Sequence, residues 1–184
     1  ISACLVGSEM CIRDRYYGDG KGKTTAAVGQ AVRAAGYGLQ VLFFQFLKDN
    51  SSNERKILEA VPGITCLPGR DQVKFVSRMN GDEKAELRHY NNKALDEIVK
   101  FCTNFDVLVL DEALCAIHLN VLSEEKIRSF LEHKPRGLEV ILTGHEVSQD
   151  MLDLADYATM MMKVKHPYDR KVCLLYTSDA ADEL

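Results

Sequence analysis

Eight consecutive residues, 18–25, constrain the fold of this chain more than any other stretch, because they read Gly-Asp-Gly-Lys-Gly-Lys-Thr-Thr. Glycine lacks a Cβ atom, so the backbone can turn tightly there and approach an anion closely. Lys23 adds a mobile positive charge, and Thr24 adds a hydroxyl group that can bind a metal ion. We therefore predict a loop that binds a polyphosphate through the following residues: Gly18, Asp19, Gly20, Lys21, Gly22, Lys23, Thr24 and Thr25.

The loop runs directly into a helical pattern over residues 23–35. A helix N-terminus presents unpaired backbone N–H groups and the positive end of the helix dipole, and both favour an anion. These features are those of a P-loop, but the spacing is irregular. The usual pattern has a glycine five residues before the Gly-Lys-Thr, and this chain has Tyr17 there. Counted from Gly18, the loop is one residue short; an ordinary glycine-rich turn that caps a helix is the alternative interpretation.

Composition excludes several classes of function. The chain of 184 residues is long enough for one domain with a substantial core, and 46% of its residues are hydrophobic without a membrane-length apolar run. Its net charge of −4, with no basic run, argues against nucleic acid as the main partner. The six cysteines include no Cys-x-x-Cys pair, which indicates thiols in a reducing compartment. We therefore expect a cytoplasmic protein with no membrane and no nucleic-acid partner.

Segments of strand type and helix type alternate along the chain. Apolar runs of strand length lie at 41–47, 64–67, 105–112, 139–143 and 157–164. Helical patterns lie at 23–35, 54–60, 82–101, 123–133 and 148–154. The core face of the helix at 82–101 is predicted at Leu87, Tyr90, Ala94, Ile98 and Phe101. The alternation predicts one three-layer α/β domain of the P-loop NTPase-like type, with a mainly parallel central sheet.

The two ends of the chain differ from its middle. A P-loop normally follows a buried apolar strand, yet residues 13–15 before this one read Arg-Asp-Arg. Residues 1–15 and 173–184 resemble translated sequencing-adapter sequence of the kind found at the edges of assembled environmental reads. We therefore expect a native domain over residues 16–172 with non-native flanks at 1–15 and 173–184; a genuine but divergent pair of termini is the alternative.

A pair of carboxylates, Asp111 and Glu112, ends the apolar run of 105–112. A P-loop paired with a carboxylate at the end of a later strand can hold a magnesium nucleotide. We therefore predict bound Mg²⁺, or Mn²⁺ in its place, with Thr24, Asp111 and Glu112 as its ligands. Glu112 is the less constrained carboxylate, so it would either complete the metal shell or orient an attacking group.

Seven short segments follow one another in an order that is typical of one enzyme family. They are 17–27, 33–38, 45–48, 110–112, 142–144, 155–156 and 165–167. In these segments the chain resembles the ATP:corrinoid adenosyltransferases, and the resemblance spans about residues 16–172. The short P-loop, with Gln-Phe-Leu-Lys at 45–48 and Lys-His-Pro at 165–167, is its most specific part.

The resemblance implies transfer of the 5′-deoxyadenosyl group of ATP to the cobalt(I) of a reduced corrinoid, with release of triphosphate. ATP would be the co-substrate, bound in the reverse of the usual direction, because cobalt attacks the ribose C5′ and not the terminal phosphorus. Lys23 and Glu112 would be the catalytic residues. Lys23, the loop amides and Mg²⁺ would stabilise charge on the leaving triphosphate.

Three side chains are predicted to contact the substrates: Phe75, His145 and His166. Related enzymes use aromatic or apolar side chains to exclude the lower axial ligand of cobalt, and Phe75 lies in the matching region; a loop anchor or core residue is the alternative. His145 stands where many relatives have an arginine, and it would be a weaker, pH-dependent donor to the polyphosphate. His166 would face the corrinoid or satisfy a backbone carbonyl.

The resemblance also implies a homodimer, with an electron-donating flavoprotein as a partner. Two other functions use the same residues: a P-loop small-molecule kinase or NTPase, and a nucleotide-dependent regulatory switch. The products separate the three. Adenosyl transfer yields triphosphate and an adenosylated corrinoid, a kinase yields ADP and a phosphorylated acceptor, and a switch binds nucleotide without turnover.

Overall fold

The structure is a computed structural model of the chain, and it describes residues 12–165. Its strands are β1 (Arg13–Tyr17), β2 (Val41–Gln45), β3 (Ile64–Cys66), β4 (Val107–Asp111), β5 (Glu139–Thr143) and β6 (Tyr157–Met160). Within the described range they form one sheet in the order β3-β2-β4-β5-β1-β6, and all neighbours are parallel. The C-terminal ends of the strands therefore meet at one edge of the sheet.

Helices connect the strands, and local sequence signals set several of their ends. They are α1 (Lys23–Tyr37), α2 (Asn53–Leu58), α3 (Gly81–Phe101), α4 (Ala113–His118), α5 (Glu124–His133) and α6 (Gln149–Asp153). Asn80 and Glu83 form a capping box at the start of α3, and the Ser123 hydroxyl caps α5. None of the helices within residues 12–165 is long and apolar enough to cross a membrane.

The sheet separates two hydrophobic clusters, and β4 shows how it does so. Val107 and Val109 pack in a cluster that includes Ala27 and Ala31 of α1. The intervening residues of β4 point to the opposite face, because side chains alternate across a strand. Leu108 and Leu110 accordingly belong to a second cluster, with residues of α3, α4 and α5. Helices cover both faces of the sheet, so the predicted three-layer architecture is confirmed.

Strand β1 lies inside the sheet, between β5 and β6, although it carries the Arg-Asp-Arg sequence and begins within the flank of residues 1–15. Arg13 pairs with Asp156, with Nε and Oδ2 3.0 Å apart. Arg15 is fully buried, and its Nε and Nη2 atoms have no hydrogen-bond partner among the described residues. Asp14 is also buried, and its Oδ1 likewise has no such partner within residues 12–165. Two charged side chains therefore occupy positions that an interior parallel strand normally gives to apolar residues.

Some local predictions were wrong. Helix α4 was not foreseen, because it begins directly after the two carboxylates, with Glu112 as its N-cap and no separating loop. Phe101 is 45% exposed and packs against Phe105 at the end of α3, so it is not a core residue. Asn91 takes a core position on α3 instead, because its side chain can donate a hydrogen bond to the Val121 carbonyl at 2.9 Å.

Candidate active site

Helix α1 begins directly after the P-loop. Its N-cap, Gly22, has a φ of 111°, a left-handed conformation that glycine adopts without strain. The first intrahelical hydrogen bond runs from the Ala26 N–H to the Gly22 carbonyl, at 2.8 Å. The N–H groups of residues 23–25 therefore precede the helical ladder and point out of the N-terminus of the helix. Together with the helix dipole, they form a place where a phosphate group can bind.

The side chains of the loop divide into buried and exposed ones. Lys23 is 1% exposed, and its ammonium donates a hydrogen bond to the Gly20 carbonyl at 2.8 Å. Lys21 and Thr25 are exposed. The Asp19 carboxylate accepts a hydrogen bond from the Lys163 N–H at 3.0 Å, and this bond lowers the pKa of Asp19. Lys23 is thus the P-loop side chain that is enclosed within the site.

Two glycines of the loop are hydrogen-bonded to other segments of the protein. The Gly18 N–H donates to the His145 carbonyl at 2.8 Å, and the Gly20 N–H donates to the Met161 carbonyl at 2.7 Å. A Cβ atom on Gly18 would lie 2.4 Å from the Met161 carbonyl oxygen, and one on Gly20 would lie 2.7 Å from Met161 and Met162 backbone carbons. Both N–H groups thus donate to carbonyl groups of the protein, and the contacts of Gly18 and Gly20 with a polyphosphate stay predictions.

Asp111 is the centre of a buried network at the end of β4. Its Oδ1 accepts hydrogen bonds from the hydroxyls of Thr24, at 2.8 Å, and Thr143, at 2.7 Å. Its Oδ2 accepts from Gln45 Nε2 at 3.0 Å and from the Lys48 ammonium at 3.1 Å. Because β2, β4 and β5 are parallel neighbours, their C-terminal ends bring these groups together around one carboxylate.

The surroundings of Asp111 keep it ionised. Burial by itself would raise the pKa of its carboxyl, since a charge is unfavourable away from water. The Lys48 ammonium and the hydrogen bonds from Gln45, Thr143 and Thr24 outweigh this effect, and the pKa lies below its ordinary value. Asp111 is therefore an anionic oxygen donor at neutral pH.

The side chain of Glu112 lies beside Cys115 of α4. Its backbone φ is 59°, which is uncommon for a residue other than glycine, and its side chain is buried. Its N–H donates to the Thr143 hydroxyl at 2.9 Å, and its carboxylate accepts a hydrogen bond from the Cys115 thiol. Burial and the negative charge of Glu112 raise the pKa of that thiol. Cys115 is therefore a protonated, buried thiol, and its contact with Glu112 suits a carboxylate that orients its neighbours.

His145 lies where the end of β5 meets the P-loop. Its carbonyl accepts the hydrogen bond from the Gly18 N–H, and its own N–H donates to Cys115 Sγ at 3.2 Å. Gly144 before it approaches α4 so closely that a Cβ atom there would lie 2.5 Å from the Cys115 nitrogen. The structure thus places His145 beside the loop, and its contact with the polyphosphate stays a prediction.

Three residues of the network, Gln45, Lys48 and Thr143, had no assigned role in the sequence analysis. Gln45 Nε2 also donates to Glu54 Oε1, at 2.8 Å. Lys48 Nζ lies 3.3 Å from Glu54 Oε1 and 3.3 Å from Thr24 Oγ1. Two signals were available. Gln45 and Lys48 belong to the Gln-Phe-Leu-Lys segment of the family resemblance. All three residues lie at or just after the end of a buried strand, where polar residues commonly build a ligand site.

Phe75 lies in the segment between β3 and α3. Its ring is 44% exposed, and the guanidinium carbon of Arg78 lies 5.5 Å from the ring centroid. A cavity of about 240 Å³ lies between this segment and α3, and it is lined by Arg70, Gln72, Val73, Lys74, Met79, Glu83, Glu86 and Leu87. His166 lies outside the described residues. Phe75 is therefore open to a ligand, but it does not belong to the network around Asp111.

The donor atoms around Asp111 suit a hard divalent cation. Thr24 Oγ1 and Asp111 Oδ1 lie 2.8 Å apart, and both are oxygen atoms. Mg²⁺ prefers oxygen ligands and is usually held by one or two carboxylates together with phosphate groups of a substrate. Within residues 12–165, no three or more His, Cys, Asp and Glu side chains are arranged to hold a metal ion. The residues present thus fit a magnesium ion that is bound jointly with a phosphate.

The fold and the site together define a class of protein. A P-loop follows β1, a carboxylate ends β4, and β5 lies between these two strands. The helix N-terminus, the enclosed Lys23 and the contact between Thr24 and Asp111 are the parts of a nucleotide site of the P-loop type. The protein is an α/β protein of the P-loop NTPase-like class, as predicted.

Within this class, comparison with known proteins shows the family. Residues 13–174 match the family ATP:corrinoid adenosyltransferase BtuR/CobO/CobP, and the chain belongs to it. It is therefore a transferase that uses ATP to adenosylate corrinoids. The resemblance in the sequence is confirmed, and with it ATP and a corrinoid as substrates.

Named relatives span most of the chain. The corrinoid adenosyltransferase CobA of Salmonella typhimurium is 33% identical over 166 residues, covering 85% of this chain and 79% of CobA. The corrinoid adenosyltransferase of Escherichia coli strain K12 is 32% identical over 158 residues, with the same two shares. Among solved structures, the KaiC-like protein PH0186 of Pyrococcus horikoshii aligns with a TM-score of 0.46 and 20% identity, over 83% of this chain and 72% of that chain.

Proposed function

We propose that this protein transfers the 5′-deoxyadenosyl group of Mg-ATP to the cobalt(I) of a reduced corrinoid and releases triphosphate. Cobalt(I) supplies the electron pair of the new cobalt–carbon bond. The bond between C5′ and the α-phosphate oxygen breaks, and its electron pair leaves with the triphosphate. Cobalt is formally oxidised from the one-valent to the three-valent state, so the corrinoid is the nucleophile and no protein nucleophile is required.

The observation that carries the proposal is the contact of Thr24 with Asp111 at the N-terminus of α1, at 2.8 Å, beside the enclosed Lys23. The leaving triphosphate gathers negative charge as the carbon–oxygen bond breaks. Preorganised cations and N–H donors stabilise such charge most where water is excluded. Lys23 and the N–H groups of residues 23–25 would therefore bind the triphosphate, and Mg²⁺ held by Thr24 and Asp111 would supply further positive charge to it.

The altered P-loop suits a triphosphate that leaves as a whole. A kinase must hold both the terminal phosphoryl group that is attacked and the β-phosphate from which it leaves. In the proposed reaction no phosphorus is attacked, and the complete polyphosphate stays in the loop while C5′ departs. A loop whose Gly18 and Gly20 N–H groups bind protein carbonyls, leaving the helix start for the anion, is compatible with that reaction.

Other residues are proposed to act on the corrinoid side and in the shell around the metal. The exposed ring of Phe75 would exclude the lower axial ligand of cobalt, which makes cobalt(I) accessible. Glu112 would complete the shell around the metal ion, and its backbone N–H fixes the Thr143 hydroxyl that donates to Asp111. His145 would add a pH-dependent contact to the polyphosphate.

Further proposals follow from the family resemblance. A cobalt(I) corrinoid needs an electron donor, and an electron-donating flavoprotein is the proposed partner. We also propose a homodimer that works in the cytoplasm. Light scattering of the purified chain tests the dimer, and reduction of the corrinoid by flavoprotein in place of a chemical reductant tests the partner.

The test of the reaction is an anaerobic incubation with Mg-ATP and chemically reduced corrinoid. Absorption of the cobalt–carbon bond should appear together with one equivalent of triphosphate, detected by ion chromatography. Omission of the metal should stop the reaction, and Mn²⁺ should restore it. ADP with a phosphorylated acceptor, or nucleotide binding without turnover, would contradict the proposal.

A further inference from the structure

Lys48 contacts the oxygen atoms that are proposed to hold the metal ion. Its ammonium lies 3.1 Å from Asp111 Oδ2 and 3.3 Å from Thr24 Oγ1. It also lies 3.3 Å from Glu54 Oε1, and its side chain is only 11% exposed. One ammonium group therefore reaches a hydroxyl and two carboxylates, a set of oxygens that a hard divalent cation also prefers.

The P-loop lysine does not take this position. Lys23 Nζ donates to the Gly20 carbonyl at 2.8 Å. The Lys48 ammonium makes the ion pair with Asp111, and it is held from the other side by Glu54. Lys48 thus places a positive charge in direct contact with the buried carboxylate.

We propose that Lys48 is a positioning residue whose ammonium and the magnesium ion are alternative occupants of one cation position, so that the metal binds firmly only together with the nucleotide. The proposal rests on the Mg-ATP site described under the proposed function. Two cations cannot share the oxygens of Thr24 and Asp111 at contact distance, because they repel each other strongly where water is scarce. The metal must therefore displace the ammonium from Asp111.

The network offers the displaced ammonium a second anchor. Glu54 lies at the start of α2, and its Oε1 contacts both Lys48 Nζ and Gln45 Nε2. The Ser52 hydroxyl holds the other end of the Gln45 amide, at 2.7 Å. Lys48 can therefore leave Asp111 and keep Glu54. The polyphosphate of ATP adds negative charge next to both cations. This negative charge offsets the repulsion between the metal ion and the ammonium, so both can be bound at once.

The prediction is a coupling between metal and nucleotide that depends on the charge of Lys48. Without nucleotide, the ammonium competes for Asp111 and metal affinity is low. With nucleotide, metal and ammonium are both accommodated. Because binding coupling is reciprocal, the nucleotide should also bind more tightly in the presence of the metal, and loss of the Lys48 charge should weaken both effects equally.

The test measures Mn²⁺ binding to the full chain at pH 8 by the loss of the electron paramagnetic resonance signal of free Mn²⁺. It compares the unaltered protein with Lys48→Met, which keeps the length of the side chain and removes its charge. Without nucleotide, Lys48→Met should bind Mn²⁺ at least tenfold more tightly, and the gain in Mn²⁺ affinity caused by ATP should shrink by a similar factor. Equal or weaker Mn²⁺ binding by Lys48→Met without nucleotide would overturn the proposal.

Two further variants keep the result interpretable. Lys56→Met removes one charge from an exposed position on the same helix as Glu54 and should leave Mn²⁺ binding unchanged. Adding Asp111→Asn to Lys48→Met should abolish the gained Mn²⁺ affinity; if the gain persists, the metal lies elsewhere and the proposal fails. If Lys48→Met does not fold, Lys48→Gln is measured in its place, with the same tenfold criterion.

Absence of adenosyl transfer in the unaltered protein would instead contradict the proposed function, because the Mn²⁺ measurements do not depend on turnover.

Discussion

Replacement of Arg15 by methionine should stabilise the protein. Arg15 is fully buried in β1, and its Nε and Nη2 atoms have no hydrogen-bond partner within residues 12–165. Its Nη1 donates to the Asp14 carbonyl at 3.0 Å, which is the polar contact that the substitution would remove. Methionine is unbranched, flexible and uncharged, so it can fill most of the same space without burying donors.

The magnitude follows from the shifted ionisation of the guanidinium. Burial, followed by repulsion from Arg13, lowers the pKa of Arg15 to about 10, against an ordinary value of about 12.5. At about 1.4 kcal/mol per pKa unit, the buried charge destabilises the native state by about 3 kcal/mol. The folded-state pKa lies below the unfolded one, so folding disfavours the charged guanidinium. The full penalty applies below about pH 10, where Arg15 is charged in both states. The penalty becomes smaller at higher pH, where the guanidinium of the folded protein loses its proton.

The assay is urea and thermal unfolding followed by circular dichroism at pH 7.5. Arg15→Met should raise the free energy of unfolding by about 3 kcal/mol, which corresponds to roughly 6–12 °C in the unfolding midpoint for a chain of this size. The matched control is Arg136→Met, because Arg136 is exposed in the turn after α5; it should change stability by less than about 0.5 kcal/mol. An Arg15→Met protein that unfolds at the same or a lower urea concentration than the parent would refute the reasoning.

Three further predictions concern the P-loop and its surroundings. Lys23→Ala should lower adenosyl transfer at least roughly a hundredfold, and near-normal turnover in the corrinoid assay would remove Lys23 from the site. Gly18→Ala should destabilise the fold in urea unfolding, because its Cβ would lie 2.4 Å from the Met161 carbonyl oxygen. Gly29→Ala lies in open space on α1 and should stabilise the fold by up to about 1 kcal/mol. A Gly18→Ala protein that is more stable than Gly29→Ala would contradict the packing argument. Asp111→Asn should cost about 3 kcal/mol at pH 7. Because the Asp111 pKa is lowered by folding, its contribution exists above an unfolded pKa of about 3.9 and is lost as the pH falls further, so unfolding curves of the variant and the parent should converge in acid.

Much of the fold could be predicted because its signals are local. Strands β2, β4 and β5 are continuous apolar runs, and all three are fully or almost fully buried. The capping residues Asn80 and Ser123 lie at helix starts, and their side chains satisfy N–H groups a few residues ahead. Helix α4 was missed because its start depends on the left-handed conformation of Glu112. A glutamate in the sequence does not predict that conformation.

The site could be predicted only in part. Thr24 and Asp111 belong to recognisable motifs, and the structure brings them into contact. Lys48 and Thr143 reach the same carboxylate from separate strand ends. Both lie in segments that carry the family resemblance, but the resemblance assigned them no role, and their contact with Asp111 depends on strand order. The hydrogen bond from the Gly20 N–H to the Met161 carbonyl likewise depends on the parallel pairing of β6 with β1.

The sequence by itself determined the chemistry of the loop: its glycines, Lys23 and the hydroxyl of Thr24 predict an anion site, because these properties belong to the residues and their spacing. Only the tertiary structure decided which groups that loop meets. Parallel strands bring distant segments to one edge, so Asp111 acquires Lys48 as its counter-charge. The same arrangement turns the Gly18 and Gly20 N–H groups toward protein carbonyls, so that the proposed polyphosphate site lies at the start of α1.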